Sequence, residues 1–256
     1  MKMATKSSRF KGPGGRYGRP DMKAAGLTHR VLKARIREVL HDADFGRAMT
    51  SMEAFPGRRA VNPLFSFFCS GDALLRWRAV SGMGAVVSRL ADAEMESARV
   101  VMRRLMWPLN DESGGIGWGA PEAMGEITAR HPALAREFAC ILVSYIRPDC
   151  NFLEHPILQR GVLWGLGRLA HARPVMVAEA APFVRPFLES PDVCHRGHAV
   201  WVLRALGEST LARDIDPLAG DRETLPFYHD GRLTDVTVAD LVREKLPPGR
   251  RNAENG

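Results

Sequence analysis

The residues best placed to do chemistry lie in one stretch, Asn110-Asp111-Glu112-Ser113-Gly114-Gly115-Ile116-Gly117-Trp118-Gly119-Ala120-Pro121-Glu122-Ala123-Met124-Gly125-Glu126. Trp118, Glu122 and Glu126 are spaced by four, so a helix here puts all three on one face. Two carboxylates so placed can do acid–base work or simply face solvent. The glycines before them permit close backbone approach, and Pro121 suits the first turn of a helix. Such a loop could aim backbone N–H groups at an anion. Asp111, Glu112 and Glu122 would repel phosphate unless a cation came with it. The Lys-Ser/Thr of a P-loop is missing, and no strand precedes the loop as in a dinucleotide fold. The alternative reading is that Asn110, Asp111 and Glu112 cap helix ends and hydrogen-bond the loop itself.

Other constellations are thinner. Cys194-His195-x-x-His198 offers three ligand types at a helix start, without the further Cys or carboxylate that a metal site needs. No Ser-His-Asp or Cys-His arrangement follows from spacing. No catalytic residue, metal ligand or cofactor is therefore assigned. Cys69, Cys140, Cys150 and Cys194 form no C-x-x-C pair and read as free thiols of a cytoplasmic protein. No apolar run approaches the ~20 residues that span a bilayer, so no membrane partner is expected.

The elements that must position these side chains repeat. Gly82-Met83-Gly84, Ala123-Met124-Gly125, Gly165-Leu166-Gly167 and Ala205-Leu206-Gly207 share the form small, large apolar, Gly, and the last glycines are 41, 42 and 40 residues apart. A period near forty predicts two-helix units of a solenoid. The expected fold is all-α, a right-handed α-α superhelix of the HEAT/armadillo kind. Its helix pairs are expected at 62–69 and 72–91, 93–109 and 120–130, 132–147 and 156–171, and 175–188 and 192–208. Helices at 27–40 and 43–54 cap the front. Glycine in a helix costs about 1 kcal/mol against Ala, so its recurrence implies a packing requirement. Behind the array, His229-Asp230-Gly231-Arg232 is a turn between apolar flanks. A β-hairpin and a last helix, within 214–246, are expected to cover the open end as terminal solenoid units do. The domain is expected to span 24–246, between a basic arm (1–23) and a tail (247–256).

Aligning the second helices on the triplet glycine gives a stripe of Trp77, Ser81 and Ala85; Trp118, Glu122 and Glu126; Arg160, Trp164 and Arg168; Val200, Arg204 and Glu208. This row reads as too polar for core. Glutamate beside arginine on neighbouring helices suits paired, charge-assisted hydrogen bonds. The stripe is either a ladder that fixes the stacking or an aromatic-lined recess for a ligand, since Trp and Arg are common binding anchors.

Charge narrows the partners. The net charge is +7, yet residues 1–40 carry eleven basic side chains against Asp21 and Glu38, or +9, which leaves −2 for the other 216. A body near neutrality is poorly suited to a phosphate backbone. The arm remains a possible contact for nucleic acid or an acidic partner.

The forty-residue units, with Arg76-Trp77-Arg78-Ala79-Val80 leading to Gly84, resemble HEAT-like repeats of the phycobilin-lyase type. The run from Leu109 to Ile127, and the ending Phe227-Tyr228-His229-Asp230-Gly231-Arg232-Leu233 with Thr237-Val238-Ala239-Asp240-Leu241, are similar to uncharacterised bacterial HEAT-like proteins. The resemblance covers roughly residues 60 to 246. It implies the fold but transfers no catalytic residue, because HEAT arrays serve as scaffolds, lyase or chaperone-like subunits and DNA glycosylases. The expected function is a binding or scaffold protein that takes a peptide, a protein or a small polar ligand. Its expected contacts are Asn110, Asp111, Glu112, Trp118, Glu122, Glu126, Arg160, Trp164, Arg168 and Arg204. The alternatives are a nucleic-acid-binding or glycosylase-like enzyme and a lyase-like protein.

Overall fold

The computed structural model describes residues 28–110, 116–207 and 213–244. Asp111, Glu112, Glu208, the basic arm and the tail lie outside them. The chain is an all-α array of helical hairpins with one small antiparallel sheet. Two helices lead it, α1 (His29–Leu40) and α2 (Phe45–Glu53). Thr28 and Asp44 accept backbone N–H groups of the first turns of these two helices, the usual N-cap arrangement.

The repeats follow as α3 (Gly57–Phe67) with α4 (Ala73–Ala93), α5 (Met95–Met106) with α6 (Ala120–Arg130), and α7 (Pro132–Ser144) with α8 (Pro156–Ala172). The second helices α4, α6, α8 and α10 (Val193–Leu206) pack side by side in sequence order, and the first helices lie outside them. The expected boundaries shift by a few residues, and the fourth unit departs further. In place of the helix expected over 175–188, its first element is a broken chain of 3-10 turns around the short α9 (Ala181–Val184). Pro182 and Pro186 each remove a donor from the ladder there, and Val177 sits at φ −134°.

The repeated glycines serve close approach, with one exception. A Cβ on Gly125 would lie 2.3 Å from Cα of Gly165, so α6 and α8 touch backbone to backbone. On Gly84 it would meet the Glu126 side chain at 2.4 Å, and on Gly167 the Trp201 ring at 2.3 Å. Gly207 is different, because it ends α10 at φ 71° and a Cβ on it would meet nothing within 4 Å among the described residues. Its role is conformational, as the left-handed residue that closes a helix.

The hairpin forms where the turn signal placed it, as β1 (Thr224–His229) and β2 (Arg232–Thr237). Asp230 and Gly231 both have positive φ, 45° and 76°, as a type I′ turn needs. A last helix, α11 (Val238–Val242), follows through a capping box of Thr237 and Asp240. The hairpin and last helix close the C-terminal end of the array as expected, and the hairpin also reaches further. β1 and α11 pack on α10, but β2 reaches α4, and the turn meets Phe45 of α2. The hairpin therefore lies across the inner helices. Buried Arg78 fixes its tip, donating Nε to the Gly231 carbonyl at 3.0 Å and Nη1 to those of Leu40 and Asp42 at 2.9 and 2.6 Å. A guanidinium offers five donors, and here it satisfies three carbonyls from two distant parts of the chain.

Candidate ligand-binding site

The hairpin divides the predicted stripe in two. Tyr228 stacks on Trp77 at 5.1 Å, and Trp77 meets Trp164 at 4.8 Å. Trp164 is buried and donates its indole N–H to the Tyr228 carbonyl at 3.0 Å. On one side of this aromatic wall lies a recess of about 520 Å³, with Trp77, Trp118, Glu122, Arg76, Arg160 and His198 among its lining. On the other lies a smaller one, with Glu126, Arg130, Arg168 and Trp201.

Glu122 is the chemical centre of the larger recess. It belongs to the first turn of α6, which opens after Gly119 at φ 73° with Pro121 at its start. Its carboxyl points at Gly161 of α8, where a Cβ would stand 2.7 Å from both oxygens. The missing side chain is what makes room for the acid. Oε2 is shielded from solvent and has no hydrogen-bond partner among the described residues. Removal of the carboxyl from water raises its pKa from 4.5 to about 7, opposed by its own backbone N–H and by the charge of Arg76. The cost of ionising a desolvated group explains the direction. Near neutral pH this carboxyl can therefore either donate or accept a hydrogen bond.

The surrounding groups define what it can meet. Trp118 is 37% exposed at the mouth and touches His155 edge-on at 6.0 Å. Trp77 offers a second aromatic surface. Arg76 is exposed, with Nη1 on the Ser70 carbonyl at 3.0 Å. Arg160 donates Nε to Asp192 at 2.7 Å, so its charge is already balanced. His198 is 3% exposed with neither ring nitrogen in a well-formed hydrogen bond among the described residues. Burial, with the charges of His195 and Arg160, lowers its pKa to about 3. Burial also pushes the Cys194 thiol up. Both side chains are thus neutral, and Cys194 with His198 is not a thiolate–imidazolium pair of the kind used for nucleophilic attack.

The remaining expectations divide. The sequence pattern puts Glu126 and Trp164 in a row too polar for core, yet both are 2% exposed. Glu126 accepts Arg168 Nε on Oε2 and Arg130 Nε on Oε1, each at 2.6 Å. The Glu126–Arg168 pair across helices is as expected, whereas Arg160 and Glu122 join no such ladder. The physical reason is reach, because Asp192, the N-cap of α10, lies nearer to Arg160. Arg204 leaves the recess and binds Glu244 and the Val242 carbonyl. Asn110, at the end of a 3-10 turn, lies beside the Tyr145 phenol instead of in the recess. His195 is fully occupied, with Nδ1 against Ser190 Oγ at 3.0 Å and Nε2 against the Pro156 carbonyl at 2.9 Å. Sequence reasoning left out Arg76, Gly161 and His198 as recess residues and Tyr228 as the divider. Only Trp77 carried a signal, through its register with Trp118.

No family model matches the chain. An uncharacterized protein of Archaeoglobus fulgidus is 28% identical over 185 residues, which cover 71% of this chain and 92% of that protein. Among solved structures, the chain is similar to an engineered protein from the Northeast Structural Genomics Consortium, at 13% identity and a TM-score of 0.44 over 75% of this chain and 92% of that one. It is also similar to a designed armadillo repeat protein in complex with the peptide (KR)4, at 12% identity and a TM-score of 0.43 over 73% and 91%. The similar natural protein is archaeal, and neither a bacterial grouping nor a phycobilin-lyase type emerges from these similarities.

Proposed function

We propose that this protein is a helical-repeat binding protein of the cytoplasm. Its recess between α4, α6, α8 and the hairpin takes a small polar ligand, or one side chain of a peptide. The observation that carries this reading is the Glu122 carboxyl, whose Oε2 is shielded from water and without a partner among the described residues, in a recess large enough for a ligand. A buried polar atom without a partner costs about 1–3 kcal/mol, and a ligand that supplies an N–H donor removes that cost. Trp77 and Trp118 provide flat apolar surfaces for its body, and Arg76 an exposed cation at the mouth. The fitting ligand presents an amine, amide or amidine edge to Glu122 and a planar or apolar body to the tryptophans.

The test is a ligand-observed magnetic-resonance screen of amines, amides, amidines and nitrogen heterocycles, with carboxylates and sugars as the counter-set. Hits should be enriched in N–H donors. Glu122→Ala and Trp118→Ala should each weaken them about ten- to hundred-fold, the worth of one charge-assisted hydrogen bond or aromatic contact, while both variants still unfold in one cooperative transition. An absence of hits, or hits that bind Glu122→Ala as well as the native protein, would remove the proposal.

A second reading is a nucleic-acid enzyme similar to HEAT-fold DNA glycosylases. An acid between two tryptophans favours it. The pairing of Arg160 with Asp192 and Arg204 with Glu244 counts against it, since backbone binding draws on free cations. Failure to bind duplex DNA even at low salt disposes of it. A lyase or chaperone-like role rests on the resemblance to phycobilin-lyase-type repeats alone.

A further inference from the structure

The smaller recess, beyond the Trp77–Tyr228 wall, carries an imbalance of charge. Arg130 and Arg168 both spend their Nε donors on the single carboxylate of Glu126. No Nη group of either guanidinium is hydrogen-bonded within the described residues. The Glu126 side chain is 3% exposed and those of Arg130 and Arg168 are 25% and 32% exposed, so the surplus cation is held partly out of water. Trp201, 4% exposed, also lines this recess, and its indole N–H has no partner among the described residues. An indole nitrogen can only donate. The group that completes it must be an acceptor.

His171 and His229 line the same recess, and the His171 pKa is lowered by burial and then by the charges of His229 and Arg168. Asp230, which also lines it, is 60% exposed and lies beside His229 at 3.6 Å, with no ion pair to either arginine among the described residues. The volume, about 170 Å³, suits a tetrahedral oxyanion and is too small for a peptide.

We infer that this second recess is an oxyanion site, in which the free ends of Arg130 and Arg168 and the indole N–H of Trp201 hold a phosphate or sulfate group. Arginine matches such groups because its donors form a planar fork. The site is separate from the Glu122 recess, and neither reading depends on the other. The anion is either a free ion or the head of a phosphomonoester, and the chemistry at the arginines is the same.

The test is calorimetric titration of the full chain with inorganic phosphate and with phenyl phosphate, at low chloride. Tighter inorganic phosphate marks a free ion, and tighter phenyl phosphate marks an ester head. Either should weaken ten-fold or more in Arg168→Gln and in Arg130→Gln, and stay unchanged in Glu122→Gln, whose recess is the other one. Each arginine variant leaves Glu126 one cationic partner, which favours retention of the fold. Should a variant not fold, the indole N–H resonance of Trp201 in the native protein decides, assigned by its loss in Trp201→Phe. A phosphate-dependent shift of that resonance supports the site. Its constancy up to high phosphate, or phosphate binding equal in native and arginine variants, overturns it.

Discussion

Replacing Glu122 by Gln should make the protein more stable at alkaline pH and no more stable in acid. The folded carboxyl has a pKa of about 7 against 4.5 for its ordinary value, because removal from water opposes ionisation. The sign follows from proton counting. Below pH 4.5 the carboxyl is protonated in both states and contributes nothing. Between 4.5 and 7 the unfolded chain ionises while the folded chain does not, so stability falls as pH rises. Above 7 both are ionised, and the full penalty of the desolvated charge is in place. At 1.36 kcal/mol per pH unit, the penalty comes to about 3 kcal/mol. Gln keeps the shape and leaves a comparable shielded polar atom, so the difference between the two proteins isolates the charge.

The assay is urea unfolding of both proteins at 25 °C at half-unit steps from pH 4 to 9. The curves should coincide near pH 4 and separate by about 3 kcal/mol above pH 8. With a urea dependence of about 1–3 kcal/mol per molar, the midpoints should then differ by about 1 M or more. Adding Arg76→Gln removes a cation that favours the ionised form, so the separation should still begin near pH 4.5 but keep growing to higher pH and end larger. A difference that stays within about 0.5 kcal/mol across the range would refute the reasoning. So would a native protein more stable than the variant at pH 8, because either outcome means that the carboxyl is paired or hydrated.

His198 gives the opposite dependence. Its folded pKa, about 3 against 6.5, means that its share of stability is present above pH 6.5 and lost as pH falls toward 3. The slope is about 1.4 kcal/mol per unit, and His198→Leu should abolish it in the same urea series. Gly125→Ala places a methyl 2.3 Å from the Gly165 backbone and should cost about 3 kcal/mol or more. Gly207→Ala, strained only by its φ of 71°, should cost about 1 kcal/mol, and thermal melts of the two variants compare them. Arg78→Met leaves three carbonyls unpaired, at about 1–3 kcal/mol each if they stay buried. Faster amide exchange across 224–237 with little change in α6 and α8 would show the hairpin lifting away.

The architecture was legible because its signal is repeated. One small–apolar–Gly triplet says little, but three spacings near forty residues fix the stacking of four helices, and Asp230-Gly231 names its own turn type. The broken outer element of the fourth unit was readable in principle from Pro182 and Pro186. The site was legible only in part, because register along one helix says nothing about which neighbour a long side chain selects. Glu122 and Glu126 look equivalent in sequence, four residues apart on one face. One meets Gly161 and leaves an oxygen without a partner; the other meets Gly84 and two arginines. That difference is decided by which cations the neighbouring helices bring within reach, Arg130 and Arg168 for Glu126, while Arg160 turns from Glu122 to Asp192, and no local pattern carries it.

The hairpin is also why one groove yields two kinds of site. An open solenoid would expose Glu122, Glu126, Trp77 and Trp164 to water along a single channel, where charges are screened and a carboxyl keeps its ordinary pKa. Laying Phe227 and Tyr228 across α4, α8 and α10 removes that water. Trp164 becomes core under Tyr228, while Glu126 on one side of the wall is paired with Arg130 and Arg168 and Glu122 on the other has an oxygen without a partner among the described residues. Sites made in this way depend on the tip contacts of Arg78. A variant that loosens the tip, such as Arg78→Met, should therefore rehydrate Glu122 and return its pKa toward 4.5. The pH-dependent stability difference that Glu122→Gln produces should then shrink in the Arg78→Met background, even though Arg78 does not line the Glu122 recess.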